Sequence, residues 1–149
     1  MHEAIALMVR APLGRVENAR RIAGLIRETG PYRWVGIYDV GGEFVSLVAF
    51  SGPSAPAHPQ FPVSKGLTGS AIRSRKPVVA GDVRTDPRYL TAFSTTRSEM
   101  IIPVLDENSG LVIGTMDVES EEENAFSDED QRVLEACAKA ARPLWGRAG

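Results

Sequence analysis

Asp117 and Glu119 lie two residues apart near the end of an apolar run, Gly110–Ser120, GLVIGTMDVES. Glu99 sits near the start of a second such run, Ser98–Leu105, SEMIIPVL. Read as a β-strand, the first run puts Leu111, Ile113, Thr115, Asp117 and Glu119 on one face and Val112, Gly114, Met116 and Val118 on the other. Burying carboxylates is costly unless a cation or hydrogen-bond donors meet them. Such acids therefore either hold a positively charged ligand or pair with the chain's own arginines, Arg33, Arg73 and Arg97 being the candidates. Asp117 is expected at the ligand and Glu119 already close to solvent. Trp34 and Tyr38, four apart, present two rings on one face of a strand. They are either core aromatics or a wall that attracts an ammonium group through its ring faces.

The other chemistry-bearing residues are few. Gly66–Ser70, GLTGS, opens a short helix, but its glycine spacing fits no dinucleotide or phosphate-loop pattern, so turn and capping duty is expected. Thr68 and Ser70 remain able to donate to a ligand carboxylate. Cys137, on the apolar stripe of the last helix, reads as a small buried hydrophobe. One cysteine and two histidines form no internal disulfide and a poor metal site, so no metal and no cofactor are expected. His58, in a proline-rich loop, reads as exposed, and so does Arg33.

The composition is that of one soluble domain: 149 residues, 43% apolar, 24% charged. With 17 basic against 19 acidic residues there is no positive field for a phosphate backbone, and nucleic acid is not an expected partner. Arg84, Arg88 and Arg97 are interleaved with Asp82, Asp86 and Glu99. Neither a membrane span nor a signal peptide is visible, which makes a cytoplasmic address the default expectation.

These residues must be positioned by a small set of elements. Helical spacing of Val16, Ala19, Ile22, Ala23 and Ile26 predicts a helix over 13–29, ended by Gly30-Pro31. Tyr32–Val40 and Glu43–Phe50 read as strands around a Gly41-Gly42 turn. Ser51–Gln60 is a loop, Phe61–Val63 a brief strand, Leu67–Arg75 a short helix and Pro77–Ala80 a short strand. Gly81–Phe93 is a polar connection. Ser98–Leu105 and the run after Gly110 form a hairpin around the DENS turn, with Pro103 requiring a bulge or an edge position. Ser127 with Asp130 opens the last helix, whose stripe is Leu134, Cys137, Ala138, Ala141 and Leu144. The order predicts a single α+β domain: an antiparallel sheet of five or six strands, terminal helices on one face and loops on the other.

The stretch FPVSKGLTGSAIRSRKPVVAGDVRTDPRYL, then SEMIIPVL, GLVIGTMDVES and FSDEDQRVLEACA, resembles a GAF domain. The likeness covers about residues 32–141, so 1–149 is expected to be one such domain. The resemblance implies a small-molecule cavity between sheet and crossover loops, and dimerisation through terminal helices. RWVGIY, SEMIIP and GTMDVES further resemble the free methionine-(R)-sulfoxide reductases. That likeness implies a pocket walled by Trp34 and Tyr38, with Glu99, Asp117 and Glu119 around the substrate. The cysteines of those enzymes fall here at His58, Thr68 and Ala92, so thiol chemistry at sulfur lacks its nucleophile. The leading expectation is a non-catalytic binding or sensing module for a small amine-bearing ligand such as a free amino acid. The rival expectations are a divergent reductase and a homodimeric interaction module with no ligand.

Overall fold

The computed structural model describes residues 1–146 and arranges them as an α+β fold. The elements run α1 (His2–Met8), α2 (Arg15–Thr29), β1 (Trp34–Val40), β2 (Phe44–Ser51), β3 (Gln60–Pro62), α3 (Gly66–Ser74), β4 (Val78–Ala80), β5 (Ser98–Leu105), β6 (Val112–Ser120) and α4 (Asp128–Ala141). Short 3-10 turns follow β4 and α4. The six strands form one sheet in the order β3-β2-β1-β6-β5-β4, and every neighbouring pair is antiparallel. β6 is therefore a central strand, as its continuous apolar character requires.

Alternation along the strands divides the interior into two halves. Val35 and Ile37 of β1, Met100, Ile102 and Val104 of β5, and Met116 and Val118 of β6 face α1, α2 and α4. There they meet Ile5, Ala19, Ile22, Ala23, Ile26, Leu134, Cys137 and Ala141 in the main core. The opposite face carries α3 and the long connections. Leu67, Ala71, Ala80, Val83 and Ile101 pack together there, beside an aromatic group around Trp34, Tyr38 and Phe93.

Local chemistry explains the boundaries. Ser127 and Asp130 close a capping box at the start of α4, placing acids where the helix N-terminus favours them. The DENS turn is held by the Asp106 carboxylate, which accepts N–H groups from Asn108 at 2.7 Å and Ser109 at 3.1 Å. Gly110 follows at φ +73°, a left-handed conformation that suits glycine. Pro103 lacks a ladder donor, and β4 stops pairing at Ile101, so proline meets no partner on that edge. A bulge lies next to it, between Val104 and Leu105. One expectation is corrected. Val16 is largely exposed, because α2 begins only at Arg15 and its buried stripe runs from Asn18 to Ile26.

Candidate functional site

Trp34, Gly36 and Tyr38 leave β1 on the α3 side of the sheet. Trp34 stacks on Phe50 with ring centroids 5.8 Å apart and meets Phe93 at 5.3 Å. Its indole N–H donates to the Ser54 carbonyl at 3.1 Å. Gly36 lies between the two rings: a Cβ there would stand 2.2 Å from the Trp34 ring and 3.0 Å from Tyr38. Only glycine allows both rings to lie over this strand. Gly36 is also the cross-strand partner of Asp117 on β6.

The three acids converge on this face. Asp117 and Glu119 project from β6, and Glu99 from β5 pairs directly with Glu119. All three are buried, Glu119 completely. One oxygen from each lies within 4.8 Å of the others. Glu119 thus differs from the solvent-near position expected from the sequence, because the 93–97 segment folds over the end of β6. Thr96 donates its hydroxyl to Glu119 Oε1 at 2.7 Å.

Among the described residues no lysine, arginine or histidine forms an ion pair with any of the three. The arginines considered as partners make their hydrogen bonds elsewhere, although Arg33 Nη1 is buried without one. Arg33 bridges to Thr95 Oγ1 and Glu121, Arg73 reaches the Ser64 carbonyl, and Arg97 donates to the Ser94 and Thr96 carbonyls. Arg33 is not simply exposed, as read from the sequence: its guanidinium lies 4.9 Å from the Phe93 ring centroid. Asp117 Oδ1 and Glu119 Oε2 are buried without a hydrogen-bond partner.

Electrostatics follow from this geometry. Two ionised carboxylates about 4.8 Å apart repel by roughly 3–4 kcal/mol at an effective dielectric constant near 20. Burial pushes the Asp117 carboxyl up to about 6, opposed by hydrogen bonds from its two acidic neighbours. Burial and the Asp117 charge raise Glu119 to about 8, although the Thr96 hydroxyl pulls the other way. Burial, then the charges of Asp117 and Glu119, hold Glu99 well above the usual carboxylate range. Tyr38 is raised as well, chiefly by burial, and remains a neutral hydroxyl. An oxygen-only trio without an internal counter-charge suits an ammonium group or another compact cation.

Beside the trio lies a cavity of about 30 Å³ bounded by Tyr38, Phe61, Glu99 and Asp117. It has room for about two water molecules. His58, Thr68 and Ala92 border it from the loops and from α3. A larger hollow of about 300 Å³ lies on the outer side of the cover, against Tyr89, Phe93 and Thr96. Ser70 does not border the cavity; its hydroxyl accepts from Arg73 at 3.3 Å. Cys137 is buried in the helix-side core, on the other side of the sheet.

A GAF domain profile matches residues 16–142. The chain belongs to the GAF domain family. This GAF domain superimposes on a type II free methionine-R-sulfoxide reductase from Thermoplasma acidophilum at TM-score 0.80 and 32% identity, covering 88% of this chain and 94% of that one. It also superimposes on the free methionine-R-sulfoxide reductase of Neisseria meningitidis, solved with its substrate, at TM-score 0.86 and 29% identity over 97% and 85% of the two chains. By sequence it is 29% identical to GAF domain-containing protein A of Dictyostelium discoideum over 80% of this chain and 74% of that protein. GAF domains are a small-molecule-binding fold, and no described helix here is long and apolar enough to cross a membrane.

Sequence reasoning missed three parts of the site: Thr96, Phe93 and the stacking role of Arg33. Phe93 offered the one usable signal, an aromatic residue ending an otherwise polar connection.

Proposed function

We propose that this GAF domain binds a compact small molecule carrying an ammonium group, without transforming it. A free amino acid or a methionine sulfoxide-like compound fits best. The observation that carries this reading is the buried Glu99–Asp117–Glu119 trio with no cationic partner among the described residues. Tyr38 and Phe61 supply the aromatic side of the pocket, which complements a cation through ring quadrupole and charge. Trp34, expected there from the sequence, instead lies behind Tyr38, packed fully buried against Phe50 and Phe93. Thr68 borders the cavity from α3 and is the hydroxyl available to an acid group. The cavity holds about 30 Å³, less than a whole amino acid needs, so uptake moves the 52–60 and 81–97 connections.

Sulfoxide reduction of this kind would need a thiolate at the cavity. His58, Thr68 and Ala92 stand where the reductase likeness has cysteines, and all three border the cavity. None supplies a thiolate. Cys137 is separated from the trio by the sheet, and burial raises its thiol further from ionisation.

Thermal denaturation against free amino acids, methionine sulfoxide and nucleotides tests the binding reading. An amine-bearing ligand at 100 times its Kd stabilises by about 2.7 kcal/mol, whereas nucleotides leave the transition where it was. No response to any amine-bearing compound at high concentration removes the proposal.

The solved reductase relatives favour a second reading, a divergent sulfoxide reductase working with an outside thiol. Turnover of free methionine-(R)-sulfoxide in the presence of a thiol reductant decides for it. A homodimer built on the terminal helices is consistent with the exposed Leu7, Leu13 and Val16, and light scattering measures it directly.

A further inference from the structure

We propose that the ligand-free site holds protons on the Glu99–Asp117–Glu119 trio in place of a cation, and releases them when a cationic ligand enters. This rests on the cation-binding reading of the same site and adds its regulation: uptake is coupled to pH.

The geometry leaves little choice. Three carboxyl groups with oxygens within 4.8 Å of one another, each at most 6% exposed, cannot all be ionised without a counter-charge. Among the described residues, none of the groups packed against them forms an ion pair with them. From β1, Tyr38 presents a neutral hydroxyl. From the 81–97 connection come Tyr89 and Thr96, both neutral, with Thr96 donating to Glu119. From the loop before β3 comes His58, which borders the cavity without an acidic partner. From α3 comes Thr68. Arg33, just ahead of β1, pulls Glu119 down somewhat. Its Nε is held by Glu121 and Thr95 and its Nη1 is buried without a partner, and it forms no ion pair with the trio.

Protons shared among the acids also account for the buried oxygens that have no other partner, Asp117 Oδ1 and Glu119 Oε2. Oxygens of Glu99, Asp117 and Glu119 lie within 4.8 Å of one another, close enough for a proton on one to be shared with its neighbours. A trio coupled this closely titrates as a unit. When an ammonium group arrives, each departing proton goes to solvent, the carboxyl oxygen keeps its electron pair, and the ammonium N–H groups take over the hydrogen bonds. The charge within the site stays close to constant.

Two measurements on the full chain test this. Isotope-edited infrared spectroscopy near neutral pH reads protonated carboxyl groups in the ligand-free protein, and Glu99→Gln assigns the signal. Leu90→Lys places a tethered ammonium at the cavity wall independently of which ligand is natural. Calorimetry with L-methionine sulfoxide in buffers of different ionisation enthalpy counts protons released.

The expected result is a protonated-carboxyl band in the ligand-free protein, weakened in Glu99→Gln and lost in Leu90→Lys. Binding of L-methionine sulfoxide releases about one proton or more. A ligand-free protein with no such band overturns the proposal, and so does a band that survives both the bound probe and the lysine. Binding of the probe with no band in the ligand-free protein would leave the amine reading intact and remove only the proton exchange. Loss of the band in Leu90→Lys with no binding of any amine-bearing compound would do the reverse.

Discussion

Glu99 of β5 and Glu119 of β6 are direct cross-strand partners on the same buried face of the sheet. Like charges directly opposite one another destabilise a ladder, and here neither is relieved by a lysine or arginine among the described residues. The pair therefore opposes stability at any pH that ionises both carboxyls.

Replacing one member with its neutral isostere separates its effect on stability from its effect on binding. Glu119→Gln keeps an acceptor for Thr96 and removes one charge. Stability at about pH 8 is expected to rise by roughly 1–3 kcal/mol, with little change at about pH 5. Binding of an amine-bearing ligand weakens at least tenfold. Denaturant titrations and calorimetry read the two effects separately.

Stability should also fall as pH rises. Asp117 and Glu119 have folded-state values of about 6 and about 8, above their ordinary values of 3.8 and 4.5. The folded chain thus binds more protons than the unfolded chain from about pH 4 to about pH 8. Destabilisation by these groups is absent below that window and complete above it, amounting to several kcal/mol in order of magnitude. Asp82, Asp86 and Asp106, lowered by their hydrogen-bond partners, act oppositely, their stabilisation being lost as pH falls below about 4. Chemical denaturation should give greater stability at about pH 5 than at about pH 8.5.

Arg33→Ala removes the guanidinium that lies over Phe93 and ties Thr95 to Glu121. Exchange protection at the backbone amides of 93–97 is expected to drop. The global transition moves by no more than about 1 kcal/mol, since the pair with Glu121 is partly solvated. Hydrogen-exchange mass spectrometry measures the local change.

Gly36→Ala places a Cβ 2.2 Å from the Trp34 ring. The indole must shift within a packed aromatic group, at a cost of roughly 1–3 kcal/mol. Near-ultraviolet circular dichroism should change along with the midpoint, and ligand response should weaken.

Cys137→Ala tests the separation of the thiol from the site. It removes a buried sulfur from the helix-side core, for about 1 kcal/mol. Ligand-induced stabilisation is expected to be unchanged, and the wild-type thiol to react with labelling reagents only on unfolding. Reductase turnover that disappears with this substitution would favour the enzymatic reading.

The sequence carried the elements well where periodicity was strong. Ser98–Leu105 is β5 to the residue, and the α4 stripe of Leu134, Cys137, Ala138 and Ala141 is buried as spaced. Asp117, Glu99, Trp34 and Tyr38 share one face because strand alternation is a local property. Glu119 was misjudged because its burial depends on a cover from 93–97, and non-repetitive segments leave no periodic trace. Arg33 was misjudged for the same reason, its stacking partner being 60 residues away in the chain. Val16 shows the converse error, an apolar residue at helical spacing that lies outside the buried stripe.

The cavity is assembled from two kinds of material. Its acids ride on β5 and β6, the most extensively paired strands of the sheet, while its roof comes from connections between elements. Substitutions in the roof can therefore redraw the shape of the chamber without touching the acidic floor. Under the binding reading proposed above, changes at His58, Leu90 and Ala92 would alter which molecule fits while the acids beneath it stay the same.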